Sequence, residues 1–177
     1  MKQFFFALLL GVLVTSSSYA KSKLSVKKVI ESSFSSVTKV EPKALILTQA
    51  QFKKVRSSAK TAMDTKVYRY YNIFSKAKKL GTAVLITRKV RSKKATVLYA
   101  FDSKGTLRFS EIMAFGEPPE FIPSKIWMSQ LQNQKPRAKL TVGKDIPTIS
   151  GATLSAHTIS EGARVARAIY EIVLKHK

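Results

Sequence analysis

Between Val67 and Ala114 the chain strings together β-forming runs joined by links too short for a crossover. Val67-Tyr68-Arg69-Tyr70-Tyr71-Asn72-Ile73-Phe74 is dense in aromatic and β-branched residues. A basic, loop-like stretch leads to Leu80-Gly81, and Thr82 to Val90 follows with Val84 and Ile86 on one face. Ala95 to Phe101 sets Val97, Tyr99 and Phe101 on one side by strict alternation. Asp102-Ser103-Lys104-Gly105 is turn chemistry, and Thr106 to Ala114 returns. Parallel neighbours need a long crossover, so these runs predict an antiparallel β-meander.

The flanks are helical by pattern. The basic, serine-rich residues 21–40 show weak helical spacing at Leu24, Val26, Val29 and Ile30. Pro42 breaks the chain, and Ala44 to Leu47 suits a short buried strand. Thr48 reads as an N-cap for a helix carrying Phe52, Val55 and Ala59. After the Gly116-Glu117-Pro118-Pro119 corner, Pro123 opens a helix running to about Gln132 that buries Ile126, Trp127 and Leu131. Leu140 and Val142 predict a short extended piece. The last helix spans about Ser155 to Leu174, with Ile159, Ala163, Ala166, Tyr170 and Val173 as its apolar stripe. The expected class is α+β: a meander packed with helices, the longest at the C-terminus.

The N-terminus predicts export. Lys2 precedes the apolar run Phe4 to Val14, and Ser18-Tyr19-Ala20 offers small residues to a signal peptidase. That run is shorter than the roughly 20 apolar residues a span requires. Cleavage after Ala20 would leave one domain-sized chain of 157 residues (177 less 20) with a net charge of +21, since Lys2 is lost from a total of +22. Cysteine is absent, which excludes disulfides, thiolate iron–sulfur sites, c-type haem and a lipidated N-terminal cysteine. His157 and His176 are the only histidines, too few for a transition-metal site. Ser155 and His157 lie two apart on a helix and face different sides, so they make no catalytic pair.

The segment Ser150-Gly151-Ala152-Thr153 places two of the smallest residues between hydroxyl side chains, just before the last helix. Small residues admit close approach to the backbone. A helix start aims unpaired N–H groups and a positive dipole end at the same spot, which suits a phosphate. Taken alone, Ser150 and Thr153 serve equally as ordinary helix caps.

This segment resembles the Ser-Gly-Ala-Thr signature of the FMN-binding domain family. That family includes the G subunit of Rnf complexes and the C subunit of the sodium-translocating NADH:quinone reductase. The resemblance covers Leu80 to Leu174, and Ser150 to Tyr170 looks especially like the small exported single-domain members. Together with the cleavage site read above, it divides the chain into a signal peptide (1–20), an N-terminal helix/strand region (21–79) and an FMN-binding domain (80–177). It implies FMN joined by a phosphoester to Thr153, delivered by a separate flavin transferase. Ser150, Gly151, Ala152 and Ser155 would complete that binding turn. Glu117 occupies the family's corner before a Pro-containing turn, where a carboxylate could bond the flavin or simply be a solvated turn acid. Trp127, Met128 and Leu131 could line the flavin or pack the core. The sequence departs from the family at Pro147, where members usually carry an aspartate three residues before the serine; the nearest acid here is Asp145.

The functional expectation is an exported, periplasmic electron carrier, peripheral to the membrane at most, with no substrate pocket evident. Basic clusters at 53–56, 76–79, 88–94 and 135–139 would steer an acidic redox protein, a cytochrome, a membrane redox complex or an anionic membrane surface into contact. The rival reading is a basic periplasmic protein that binds anionic lipid, polysaccharide or acidic protein without redox chemistry. Export argues against nucleic acid as the partner.

Overall fold

The structure, a computed structural model, describes residues 25–176. The proposed signal peptide lies outside the described residues, as does Leu24.

Among the described residues five strands form one antiparallel sheet in the order β1-β2-β3-β4-β5. They are β1 (Lys39–Ile46), β2 (Val67–Ser75), β3 (Lys78–Lys89), β4 (Lys94–Asp102) and β5 (Leu107–Phe115). Helices are α1 (Val26–Ser33), α2 (Gln49–Ala59), α3 (Lys125–Ser129) and α4 (Thr153–Ile169). A short 3-10 turn covers Pro119–Phe121, and α4 runs on into a π-turn at Tyr170–Leu174. The meander and the long C-terminal helix are as expected. The sheet is continuous across residues 79 and 80, because β3 pairs with β2 from Ser75–Lys78 onward. Among the described residues no helix is long and apolar enough to cross a membrane.

Period-2 alternation sorts the strand residues into two cores. Tyr68, Tyr70, Val84, Ile86, Val97, Tyr99 and Phe101 face α2, α3 and α4. Tyr71, Ile73, Ala83, Leu98, Ala100 and Phe109 face α1, where Phe34 meets Phe109 edge-on at 5.9 Å. With both faces covered, β4 is buried from Val97 to Phe101.

Three local expectations are corrected. Pro42 does not end anything: it lies inside β1, opposite Tyr71. β1 is an edge strand, the place in a sheet where a residue lacking an N–H is tolerated. For the same reason β1 is only half buried: Leu45 points inward while Ile46 is 72% exposed. Pro123 does not open α3, because Ser124 caps it by accepting from the Trp127 N–H at 3.2 Å. That helix stops at Ser129, short of Gln132, and Ile126 is exposed on it while Trp127 and Leu131 are buried. The last helix starts two residues earlier than expected, at Thr153.

Thr48 does cap α2, and completes a capping box with Gln51: its Oγ1 accepts from the Gln51 N–H while Gln51 Oε1 accepts from the Thr48 N–H. All five residues of the α4 stripe are buried. The buried surface is wider than the stripe, since Ser160, Gly162, Val165 and Ala168 are buried as well. Helix α2 covers one flank of α4 and residue Ala138 reaches another, accepting a short hydrogen bond from Arg167.

One close approach fixes α4 on the sheet. Tyr99 Oη donates to the Ile159 carbonyl at 2.7 Å. Gly162 makes room for it: a Cβ there would lie 2.5 Å from that oxygen. Burial pushes the Tyr99 phenol far above its ordinary range, so it stays a donor.

Candidate functional site

Thr153 sits where the loop 143–152 turns into α4. Gly151 has φ +77°, a conformation that L side chains rarely adopt, so glycine is needed for the bend itself. A Cβ at Gly151 would meet nothing within 4 Å, so the backbone there is open to an approaching molecule. Ala152 holds the N-cap position, and no side chain caps the helix. Neither Ser150 nor Thr153 acts as the cap. Thr153 instead donates from Oγ1 back to the Ile149 carbonyl at 3.1 Å, and its side chain is exposed.

The start of α4 opens onto a cavity of about 210 Å³. Gly151, Ala152, Thr153, Leu154 and Ser155 form one wall. Val90, Arg91, Glu117 and Phe121 form the other. The uncapped helix start and Arg91 bring positive charge to one part of this space, while the Glu117 carboxylate on the same wall is taken up by backbone N–H groups. Val90, Phe121 and Leu154 make another part apolar, with Leu154 54% exposed at the mouth.

Glu117 is neither a solvated turn acid nor a free acceptor. It is buried, and its Oε1 accepts from the backbone N–H groups of Arg91, Ser92 and Lys93 at 3.0, 2.6 and 2.6 Å. Oε2 accepts from Ser92 Oγ at 3.2 Å. These bonds, the Lys93 N–H foremost, hold the carboxyl down at about 2 from an ordinary 4.5. Glu117 therefore remains a carboxylate at any physiological pH, donates no proton, and clamps the β3–β4 turn that presents Val90 and Arg91.

Trp127 and Leu131 do not line the cavity. Both pack in the core with Met128. Trp127 acts on the site from behind, because its Nε1 donates to the Pro147 carbonyl at 2.8 Å and so holds the loop leading to Thr153. Asp145, the acid nearest the position that Pro147 fills, is engaged in its own turn, where Oδ2 accepts from the Thr141 N–H at 3.0 Å. Ser150 is exposed and lies off the cavity walls. His157 is exposed and Ser155 buried, on different sides of α4. Among the described residues no cluster of His, Cys, Asp or Glu could hold a metal.

Sequence reasoning missed Val90, Arg91, Phe121 and Leu154. Arg91 was visible only as one charge in a basic run, and Phe121 lies between two proline-containing turns where no periodicity marks it. The arrangement suits a ligand with an anionic end and a flat apolar body.

No protein-family model and no curated protein sequence matches the chain. Among solved structures it is similar to the crystal structure of NqrC from Shewanella oneidensis, with a TM-score of 0.57 and 14% sequence identity. The likeness covers 78% of this chain and 84% of that chain. At that identity it is a likeness of fold.

Proposed function

From an NqrC-like fold that carries a Ser-Gly-Ala-Thr turn, we propose an FMN-binding electron carrier, with the flavin joined through a phosphoester to Thr153. One observation carries the reading: an exposed threonine hydroxyl stands at the uncapped start of a long helix, at the mouth of a cavity that carries positive charge on one side and is apolar on the other.

The residues present fit FMN. The helix start and Arg91 would hold the phosphate. Val90, Phe121 and Leu154 would hold the apolar ring. A cavity of about 210 Å³ is small for a whole cofactor, so part of the flavin would stay at the surface, within reach of another protein. Attachment at Thr153 Oγ1 would replace the proton that this oxygen now donates to Ile149, with the transferase breaking a phosphate bond in an activated flavin donor whose leaving group takes up that proton. Flavin accepts one or two electrons, and the protein's task is to hold and orient it. Trp127 and Glu117 serve that task indirectly by fixing the two walls. A flavin transferase would install the group, and a cytochrome, acidic redox protein or membrane redox complex would exchange electrons with it.

Work outside the cytoplasm rests on residues 1–20 alone. Intact mass of the protein co-expressed with a flavin transferase tests both parts. The expected species lacks residues 1–20 and carries one FMN adduct, and its flavin fluorescence survives a denaturing gel. Thr153→Val should abolish the adduct completely. Denaturation-resistant flavin persisting in that variant would sink the attachment site.

A further inference from the structure

Four basic clusters are dispersed along the sequence, and the fold sorts them to two ends of the sheet. The end of α2 and the end of β3 meet beside the first turns of α4. Arg88 makes the joint: it donates to the Ala62 carbonyl at 2.8 Å and pairs with Glu161 at 2.7 Å. Thr158 Oγ1 lies 3.5 Å from the Lys89 carbonyl on the same side. The Lys76–Lys78 hairpin is at the other end of β3, ten residues and about 33 Å away. Gln134, next to Lys135, bridges Leu107 at that same far end of the sheet.

The near end holds a shallow groove of about 440 Å³ lined by Lys53, Arg56, Ser57, Lys60, Thr61 and Ala62. No acid occurs in the sequence between Glu41 and Asp64. Among the described residues none of the Lys53, Arg56 and Lys60 side chains has an ion-pair partner, whereas Arg88 beside them does. The groove is also close to the cavity. Its rim at Thr61–Ala62 is tied through Arg88 to Glu161, eight residues along α4 from Thr153, or about 12 Å of helix.

We propose that this groove on α2 docks an acidic protein that exchanges electrons with the group held at Thr153. The proposal rests on the reading of the Thr153 cavity given above. Unpaired cations around a concavity call for carboxylates spaced over a surface. A membrane fits less well. The apolar side of α2, Val55 and Ala59, is buried against the rest of the protein, and what α2 shows to solvent is Gln49, Ala50, Lys53, Lys54, Arg56, Ser57 and Ser58, with Lys60 exposed at its C-cap. An interfacial helix needs its apolar side free to enter lipid.

The test compares two charge reversals of equal size in the flavin-loaded protein. One is Lys53→Glu with Arg56→Glu and Lys60→Glu. The other is Lys76→Glu with Lys78→Glu and Lys135→Glu at the far end. The probe is a soluble c-type cytochrome of net negative charge, followed both by equilibrium titration and by the rate at which it oxidises the reduced protein, over a range of salt. The α2 reversal should weaken binding and slow electron transfer about tenfold or more at low salt, and flatten the salt dependence. The far-end reversal should cost less than about threefold, because it changes only the net charge. The neutral triple Lys53→Gln, Arg56→Gln and Lys60→Gln should fall between wild type and the α2 reversal, and guards against a helix lost to charge repulsion.

Equal losses from both reversals, or none from either, overturn the proposal. So does an α2 reversal that spares the cytochrome yet releases the protein from phosphatidylglycerol vesicles. Flavin absorbance separates the two readings. Protein without flavin that still binds the cytochrome through α2 refutes the cofactor and keeps the docking surface; flavin-loaded protein indifferent to the α2 reversal does the opposite.

Discussion

Helix α4 begins and ends in opposite ways. At its C-terminal end the helix runs into the π-turn, where Tyr170 stacks on Phe101 at 5.1 Å and donates to the Asp102 carbonyl at 2.8 Å. Val173 and Leu174 are buried there. At its N-terminal end there is no side-chain cap, and Thr153 and Leu154 are exposed. Burial and hydrogen bonding hold the helix from the Tyr99–Ile159 contact to its C-terminal end, and only the outer side of its first turn stays open. Under the proposed attachment, the end of α4 that is packed and the end that would hold the flavin are different ends of one element.

Substitutions can break this contrast or sharpen it. The largest loss is expected from Phe101→Ala, which removes a fully buried ring and leaves Tyr170 without its stacking partner; a cost of about 3–5 kcal/mol should appear in denaturant unfolding. Gly162→Ala comes next, at about 1–3 kcal/mol, because its methyl collides with Tyr99 Oη and must displace either the ring or the helix. An alanine tolerated there would mean that α4 is not seated by that contact.

Glu117→Gln should act less on overall stability and more on its pH dependence. The carboxyl's pKa is lower folded than unfolded, so its contribution is complete above about 4.5 and disappears as pH falls through about 2. Urea midpoints measured across that window should decline more gently for the glutamine variant than for wild type. A decline of equal slope would remove Glu117 from the account of the β3–β4 turn. The smallest change in stability is expected from Thr153→Val, within about 0.5 kcal/mol, since the side chain is exposed. Yet this variant should lose all covalent flavin. If it unfolds as readily as Phe101→Ala, the division of labour along α4 is wrong.

The parts of the fold legible in the sequence were those with strong periodicity. Val97, Tyr99 and Phe101 announced their strand by alternation, and Ile159 to Val173 their helix by spacing of three and four. Pro42 misled because its cost depends on whether a strand is central or at an edge, and neighbours in space decide that. The extent of burial around α4 also depends on neighbours: residues 132–149 carry no period, yet they cover it.

The candidate site was legible on one wall only. Small residues beside Thr153 marked the turn, because backbone strain at Gly151 leaves a chemical trace in the residue chosen. The opposite wall is assembled from residues 90, 91, 117 and 121, whose proximity to Thr153 follows from how β3, β4 and the corner after β5 pack. Glu117 was marked only by the resemblance, as a flavin contact or a solvated turn acid, and its role as a clamp was not legible: main-chain N–H groups leave no mark on side-chain identity.

Pro42 in β1 bears on what the molecule does when crowded. A half-exposed outer strand in a β-rich protein is an invitation to a second molecule, which could extend the ladder and seed fibres. Proline interrupts the row of donors such growth requires. Replacing Pro42 with valine would offer that edge to its copies, and insolubility, not loss of the fold, would be the first symptom.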